Sequence, residues 1–367
     1  ENFGLLKERD VQLARGIKEM SRQGWPRKLY HYSAKIVTPE VKELVEALGD
    51  LGEFGISFQT LEPEVAKKIK RTNASREDFL AYLSWAKERG ITTSTEMIFG
   101  FEGETLRSYL TGMEWLLKSG VDHIYSYNLK LLSGTALASP ASRESAGLKT
   151  MWRRSDRNYG RYDNQVVCEV EEVVVSSNDF SFADFMEVRC YGLFLELASG
   201  RGYLTELMAL LRLLGIPAEK LVGYLSTHWN KYAHLAEVVR DYQQAAGEEL
   251  FSTAEDCQSY AQTVFSSFGS LPDVKLNYVF LGRIMLQRWV RHELFALVQE
   301  FAAEYLHDPM TPNVYLLAPM AYLHELDLRV VELKDDSVFD GKAIQDFYMS
   351  GKPVLKAREV KVEAKNR

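Results

Sequence analysis

Apolar residues recur along the first 135 positions with two alternating periods. Runs at 29–33, 93–99 and 124–131 are rich in β-branched and aromatic residues and have the composition of buried strands, and 55–60 is a shorter run of the same kind. Between these runs, apolar residues follow the spacing of an amphipathic helix, as in the segment 41–48. Strands separated by helices predict parallel β–α–β units, arranged either as a barrel or as a doubly wound sheet.

Capping residues support these helices. Thr38 precedes Pro39, a combination typical of the first residues of a helix. Ser75 is positioned to cap a later helix, and Gly120 follows the last periodic residue of another. The sequence therefore predicts helices that begin near residues 39 and 76 and one that ends near residue 119.

The pattern changes after Pro140. A polar stretch with a turn signal at Asn158-Tyr159-Gly160 precedes a β-branched strand at 166–175, which predicts a linker with a β-hairpin. Helical periodicity then dominates, and the predicted elements are helices at 182–199, 203–214, 217–246, 254–268 and 274–306 and a last strand at 328–333. The predicted organisation is an α/β domain over 1–140, a linker and hairpin over 141–180, and a mainly α-helical domain over 181–367.

Composition narrows the classes of function. The 367 residues carry a net charge of -7, which argues against an extended nucleic-acid interface. No apolar run approaches the roughly 18 residues of a membrane span, and three cysteines in a chain of this length indicate a reducing, cytoplasmic location. Because the sequence opens with Glu1 on what reads as the end of a strand, we expect further residues upstream.

Polar residues follow the predicted strands at the positions where each strand ends. Ligands bind at the carboxyl ends of parallel strands, and polar groups there need hydrogen-bond partners. The sequence therefore predicts a site for a polar small molecule, the alternative being that water and neighbouring caps satisfy these groups. The residues are Glu1, Asn2, Ser33, Lys35, Gln59, Glu96, Tyr127 and Asn128.

Several segments in the same order resemble the radical S-adenosylmethionine (SAM) superfamily, in particular the branch that often has an N-terminal cobalamin-binding domain. They are Glu-Asn-Phe-Gly-Leu-Leu-Lys-Glu-Arg-Asp (1–10), Ser-Phe-Gln-Thr-Leu-Glu-Pro-Glu-Val (57–65), Ile-Lys-Arg-Thr-Asn (69–73), Thr-Ser-Thr-Glu-Met-Ile-Phe-Gly-Phe-Glu-Gly-Glu-Thr (93–105) and Tyr-Asn-Leu-Lys-Leu-Leu-Ser-Gly-Thr (127–135). The resemblance covers about the first 150 residues and continues more loosely through 171–178.

The resemblance implies a partial TIM-like (βα) barrel, truncated at its N-terminus so that strands two to six remain. It also implies reductive cleavage of SAM at a [4Fe–4S] cluster to a 5′-deoxyadenosyl radical, with cobalamin-dependent methyl transfer as one outcome. The expected partners are a small-molecule or peptide substrate and an electron donor such as flavodoxin or ferredoxin, without nucleic acid or membrane.

The resemblance also assigns residues to the SAM site. Arg71 matches a basic residue that pairs with the SAM carboxylate, and Gln59 matches a ribose contact. Arg71 could instead pair with Glu62 or Asp78 at the surface. The complete expected set is Glu1, Asn2, Ser33, Lys35, Gln59, Arg71, Glu96, Ile98, Gly100, Tyr127, Asn128 and Leu132.

The cysteines depart from this family. Cys168, Cys190 and Cys257 do not form the Cys-x3-Cys-x2-Cys pattern that holds the cluster, and we expect them to be buried apolar residues. The histidines show no zinc-like spacing either. Either the cluster motif precedes Glu1, so that this chain alone is inactive, or the chain is a non-catalytic binding or assembly module. A third alternative is a barrel enzyme that uses a nucleotide without radical chemistry.

Overall fold

The computed structural model describes residues 2–31, 37–163, 165–200, 203–213, 215–268 and 274–305, with three short strands beyond them. The chain forms two compact units. The first contains Glu1–Met151 and Glu172–Phe185, and the second contains Trp152–Glu171 and Met186–Arg367. The domain boundaries near residues 140 and 180 stay a prediction.

The first unit alternates strands and helices, as the sequence predicts, but two predicted strands are shorter than expected. Among the described residues of 29–33 only Leu29 forms a bridge, and 55–60 keeps a strand only at Phe54–Gly55 with a bridge at Gln59. The first helix, Lys7–Arg22, has no counterpart in the prediction.

The strands β1, β2 and β3 of the first unit are parallel and adjacent in that order, and the parallel bridges Leu29↔Gly52 and Gln59↔Met97 extend this arrangement. The strands are β1 (Phe54–Gly55), β2 (Thr93–Phe99) and β3 (His123–Asn128). The helices are α1 (Lys7–Arg22), α2 (Pro39–Leu48), α3 (Pro63–Lys68), α4 (Arg76–Lys87), α5 (Leu106–Ser119) and α6 (Pro140–Ser145).

The predicted helix caps are confirmed. The Thr38 hydroxyl accepts a hydrogen bond from the Val41 amide at 3.3 Å, and Ser75 accepts one from the Asp78 amide at 3.0 Å. Gly120 ends α5 with φ of 81°, a left-handed conformation that glycine adopts without steric cost.

The two faces of the β2–β3 sheet differ in character. Met97 and Phe99 are buried, and the Phe99 ring lies 5.1 Å from that of Tyr109 and 4.6 Å from that of Phe180. Because successive side chains of a strand point to opposite faces, Ser94 and Glu96 lie on the other side. The apolar face packs on the helices, so the polar face is left for a ligand.

A long hairpin follows the sheet. Strands β4 (Lys149–Tyr162) and β5 (Gln165–Ser176) pair with each other, which confirms the predicted strand at 166–175. The predicted turn at Asn158-Tyr159-Gly160 is wrong, because these residues lie inside β4 and the turn comes at Asp163, whose φ is 45°. Because β4 pairs with β5, residues 158–160 stay in the strand although their sequence is typical of a turn.

The second unit is largely helical. Two predicted helices are each interrupted: the segment 217–246 is broken at Trp229–Lys231, and 274–306 is broken at Gln287, where ψ is 113°. The helices are α7 (Phe182–Leu195), α8 (Thr205–Leu213), α9 (Leu221–His228), α10 (Ala233–Glu248), α11 (Ala254–Phe268), α12 (Leu276–Leu286) and α13 (Arg288–Ala303). A π-helical turn, Glu196–Gly200, follows α7.

Three short strands follow the last helix in the sequence. They are β6 (Val330–Leu333), β7 (Val338–Asp340) and β8 (Val360–Lys361), and they form an antiparallel sheet in the order β7-β6-β8. Over the described residues, every helix is too short or too polar to cross a membrane.

Candidate functional site

A cavity of about 590 Å³ lies on the polar face of the parallel sheet in the first unit. This volume is within the range of about 300–1,000 Å³ that is typical of small-molecule sites. The cavity is lined by Asn2, Leu29, Tyr30, His31, Glu53, Gly55, Ser57, Gln59, Arg71, Ser94, Thr95, Glu96 and Tyr125.

Alternate residues of neighbouring strands build the cavity wall. Gly55, Ser57 and Gln59 come from β1 and its continuation, and Glu96 of β2 stands directly opposite Tyr125 of β3. Since a strand shows every second residue on one face, this period of two is the reason that these side chains share one cavity.

Gln59 has an unusual backbone conformation. Its φ is 62°, in the left-handed region that residues with a Cβ atom seldom occupy. Its amide donates to the Glu96 carbonyl and its carbonyl accepts from the Ile98 amide, both at 2.8 Å. Such strain persists when the surrounding contacts fix it, and it occurs frequently at ligand sites.

Arg71 is held against the cavity by the backbone of the same segment. Its Nε donates to the Phe58 carbonyl at 2.9 Å and to Asn73 Oδ1 at 2.7 Å, and its Nη2 donates to the Ser57 carbonyl. Burial lowers the pKa of Arg71, and the nearby Glu96 charge opposes that shift. The alternative of a surface ion pair with Glu62 or Asp78 is wrong, since Arg71 lines the cavity instead.

Ser57 contributes a buried hydroxyl to the same wall. Its Oγ atom has no hydrogen-bond partner among the residues that the structure describes. An orphan buried hydroxyl is uncommon, and a bound polar ligand would satisfy it.

The carboxylate of Glu53 lies at the amino-terminal end of the strands. Tyr125 donates its hydroxyl to Glu53 Oε2 at 3.1 Å, and His123 Nε2 lies 3.9 Å from the same oxygen. His31 also reaches the cavity, and its ring lies 5.6 Å from both Phe3 and Phe54. Sequence reasoning did not select Glu53, Ser57 or Tyr125, although the period of two that joins Tyr125 to Tyr127 could have indicated the last.

Glu104 organises the turn that follows β2. Its Oε1 accepts from the Thr60 hydroxyl at 3.0 Å and its Oε2 from the Gly100 amide at 3.2 Å. Burial raises the pKa of Glu104 to about 8, although the hydrogen bonds from Gly100 and Thr60 act in the opposite direction. The nearby Glu62 charge contributes to the rise.

The structure gathers part of the predicted site. Asn2, Gln59, Arg71 and Glu96 line the cavity. Five others lie outside its lining: Ile98, Gly100, Tyr127, Asn128 and Leu132. Asn128 pairs with Phe99 and so lies on the packed face of the sheet, whereas Tyr127 and Leu132 are 39% and 64% exposed. Glu1, Ser33 and Lys35 lie outside the described residues, and the roles of all twelve stay predictions.

The cysteines do not resemble cluster ligands. Cys168, Cys190 and Cys257 are free and buried, which confirms the prediction that they are buried. Burial raises the pKa of Cys190 to about 12 and that of Cys257 to about 11, which disfavours the thiolate that binds metal. Within the described parts of the chain, no group of three or more His, Cys, Asp or Glu residues could hold a metal ion.

The first unit is an α/β domain with a polar-lined cavity on one face of a parallel sheet. Residues 8–116, less than half of the chain, match the family model of the Radical SAM superfamily. The match spans α1 through most of α5 and so includes Gln59, Arg71 and Glu96.

The chain is similar to cobalamin-dependent enzymes of this superfamily. It is 28% identical over 224 residues to the cobalamin-dependent radical SAM methyltransferase TokK of Streptomyces tokunonensis, covering 55% of this chain and 32% of TokK. It is 26% identical over 197 residues to the 2-(S-pantetheinyl)-carbapenam-3-carboxylate methyltransferase of Streptantibioticus cattleyicolor, covering 52% of this chain and 28% of that protein. The chain thus spans about a third of the length of these relatives.

A solved structure shows a weaker likeness. The radical SAM methyltransferase TsrM from Kitasatospora setae, with cobalamin and a [4Fe–4S] cluster bound, is 21% identical with a TM-score of 0.32. The alignment covers 41% of this chain and 32% of TsrM.

Proposed function

We propose that the first unit is the SAM-binding part of a radical SAM enzyme with a partial (βα) barrel. The observation that carries the proposal is the cavity, in which Gln59, Arg71 and Glu96 of the matched segment meet the orphan hydroxyl of Ser57. SAM, when bound, would supply the 5′-deoxyadenosyl group for radical chemistry on an organic substrate.

The residues present fit the polar groups of SAM. Arg71 is a guanidinium fixed in place, and none of the hydrogen bonds it makes among the described residues uses Nη1, so this atom can donate to a carboxylate. Ser57 Oγ can accept or donate one hydrogen bond, and the Glu96 carboxylate can accept from an ammonium or hydroxyl group. In this proposal Arg71 orients the amino-acid end of SAM, while Gln59, Ser57 and Glu96 contact its remaining polar groups.

The cysteines of this sequence do not fit a [4Fe–4S] cluster, so its ligands would come from sequence outside residues 1–367. Cobalamin-dependent methyl transfer is supported only by what the relative TokK is called. We propose a small-molecule or peptide substrate and a flavodoxin- or ferredoxin-type electron donor for the whole protein.

The function can be tested with the whole protein after anaerobic reconstitution. We expect SAM to bind and, after reduction, to yield 5′-deoxyadenosine. Arg71→Ala should weaken SAM binding by about 1.5–3 kcal/mol, the usual contribution of a charged hydrogen bond. Isothermal titration calorimetry measures the affinity, and thermal melting shows whether the variant folds.

Arg22→Ala is the matched control, since Arg22 is exposed and pairs only with Glu19 among the described residues. An unchanged SAM affinity in a folded Arg71→Ala protein would remove Arg71 from the site. Binding of SAM by a protein with an intact cluster that yields no 5′-deoxyadenosine would disprove radical chemistry.

The departure of the cysteines favours one second candidate, a non-catalytic binding module. This candidate predicts that the whole protein binds SAM or a related nucleoside but contains no iron after reconstitution. Iron analysis of the purified whole protein therefore separates the two.

A further inference from the structure

The cavity of the first unit has two chemically different ends. At one end, the Arg71 guanidinium is held by the backbone carbonyl of Ser57. The opposite end, which we call the Glu53 end, is lined by Leu29, His31, Glu53 and Tyr125. Glu53 precedes Ser57 by four positions along β1 and its continuation, so at a rise of about 3.3 Å per residue their backbones lie about 13 Å apart. The two ends can therefore contact different chemical groups.

The Glu53 carboxylate is only partly used by the protein. Tyr125 donates its hydroxyl to Oε2 at 3.1 Å, and His123 Nε2 lies 3.9 Å from the same oxygen. Among the described residues, Oε1 receives no hydrogen bond, and no Lys or Arg forms an ion pair with Glu53. The side chain is 30% exposed and borders the cavity, so a ligand there can donate a hydrogen bond to it.

The balance of charge also separates the two ends. Apart from histidine, the lining residues with a formal charge are Glu53, Arg71 and Glu96. The Glu96 carboxylate interacts electrostatically with Arg71, so these two charges offset each other. Glu53 is left as a carboxylate that no Lys or Arg of the described chain offsets. An organic cation is the ligand that best complements such a group.

Aromatic and apolar surface surrounds this carboxylate. The rings of His123, Tyr125 and Tyr127 follow one another along one face of β3, and the centroids of successive rings are 6.5 Å apart. The face of a tyrosine ring attracts an ammonium group, and Leu29 adds an apolar contact. The Glu53 end thus suits an amine carried on a hydrophobic body, whereas a phosphate or a carboxylate would meet the charge of Glu53.

We propose that the Glu53 end binds the protonated amino group of an organic substrate, with Glu53 as the acceptor and Tyr125 holding the carboxylate in place. The inference rests on the proposed function, because it names the substrate class of the same cavity. SAM is not the expected occupant of this end. Its sulfonium is only a few bonds from the amino-acid group that Arg71 would orient, and so would lie nearer to Glu96 than to Glu53.

The test compares three probes of similar size that differ in charge, namely phenethylamine, phenethyl alcohol and phenylacetate. Ligand-observed NMR titration of the whole protein, at one pH and without SAM, measures the affinity of each probe. We expect the wild type to bind the amine at least fivefold more tightly than the alcohol, and phenylacetate more weakly than either. This comparison needs no variant.

Glu53→Gln removes the charge while it keeps the size of the side chain and an oxygen that can accept from Tyr125. This variant should bind phenethylamine at least fivefold more weakly than wild type, with its affinity for phenethyl alcohol unchanged within twofold. Glu64→Gln is the matched control, because Glu64 is exposed on α3 and lies outside the cavity lining. It removes one negative charge from a chain of net charge -7 and should bind the amine like wild type. Thermal melting shows whether each variant folds.

Equal affinity of the wild type for the amine and the alcohol would overturn the proposal, as would unchanged amine affinity in a folded Glu53→Gln protein. An equal loss in Glu64→Gln would mean that net charge attracts the amine, which also overturns it.

Titration of the same proteins with SAM separates this inference from the proposed function. If Glu53→Gln weakens SAM binding as strongly as amine binding, Glu53 is a SAM contact and the inference fails. If the wild type binds no SAM but prefers the amine, and Glu53→Gln abolishes that preference, the proposed function fails while the amine site stands.

Discussion

At the scale of single residues, the cavity wall contains a buried polar group that has no hydrogen-bond partner among the described residues. This group is the Ser57 hydroxyl, and the carbonyl of the same residue accepts from Arg71. A buried unsatisfied hydroxyl lowers the stability of the ligand-free protein by about 1–3 kcal/mol relative to a satisfied one. A bound ligand that hydrogen-bonds to the Ser57 hydroxyl would remove this cost.

Ser57→Ala should leave the thermal stability of the ligand-free protein unchanged or raise it, since the substitution removes an orphan polar group. The same variant should show a smaller rise in melting temperature on addition of SAM. Thermal melting of the whole protein with and without SAM measures both effects. Ser126→Ala is the control, because Ser126 Oγ lies 2.8 Å from the buried Tyr109 hydroxyl and its loss should destabilise the protein. A marked loss of ligand-free stability in Ser57→Ala would mean that Ser57 has a structural partner.

At the scale of elements, the connection between β2 and α5 depends on glycine for its path. Gly100 has φ of 120°, and a Cβ atom there would lie 3.1 Å from the Leu129 Cβ. Thr105 then caps α5 with a reciprocal pair of hydrogen bonds to Ser108. The backbone can thus reverse within a few residues and still leave the Gly100 amide directed at Glu104.

Two glycines of the first unit should respond in opposite directions to the same substitution. Gly100→Ala should lower the free energy of unfolding by about 1–3 kcal/mol, because alanine is strained at this φ and crowds Leu129. Gly16→Ala should raise it by about 0.5–1 kcal/mol, since Gly16 lies inside α1 with nothing within 4 Å of an added Cβ. Urea unfolding measures both, and a stabilised Gly100→Ala protein would contradict the conformation described for this turn.

At the scale of the whole molecule, the thiols contribute to packing. Cys168 packs with Ala261 and Phe265 in a small apolar cluster, and Cys190 and Cys257 are buried as well. Burial raises the pKa of all three, so the thiolate form is scarce at neutral pH. These residues are therefore poor ligands for an iron–sulfur cluster.

The three cysteines should be inert in the native chain. A thiol reagent at pH 7.5 should label none of them until the chain is unfolded in guanidinium, and then it should label three per chain. Mass spectrometry of labelled peptides gives the count for each position. Rapid native labelling of any one of the three would show an accessible thiolate. A second sign that these cysteines bind a cluster would be the loss of iron from the whole protein on replacing all three with serine.

The sequence by itself determined the alternation of helices and strands from α2 to β3 and four of the residues that line the cavity. Periodicity and capping are local properties, so β2, β3 and the caps at Thr38 and Ser75 followed from residue spacing. Asn2, Gln59, Arg71 and Glu96 could be selected because polar residues are conspicuous at the ends of apolar strands.

The tertiary structure decided what depends on contacts between distant segments. Because side chains alternate between the two faces of a strand, Asn128 lies on the packed face beside Phe99, whereas Tyr125 lines the cavity. Pairing with β5 carried β4 through a local turn signal, and helices predicted as continuous broke at Trp229–Lys231 and Gln287. Glu104 could not be recognised from its position in a turn, because its environment is formed by Thr60, which lies 44 residues away in the sequence. Burial and hydrogen bonding are properties of the folded chain, and they decide which of many polar residues carry the chemistry of this site.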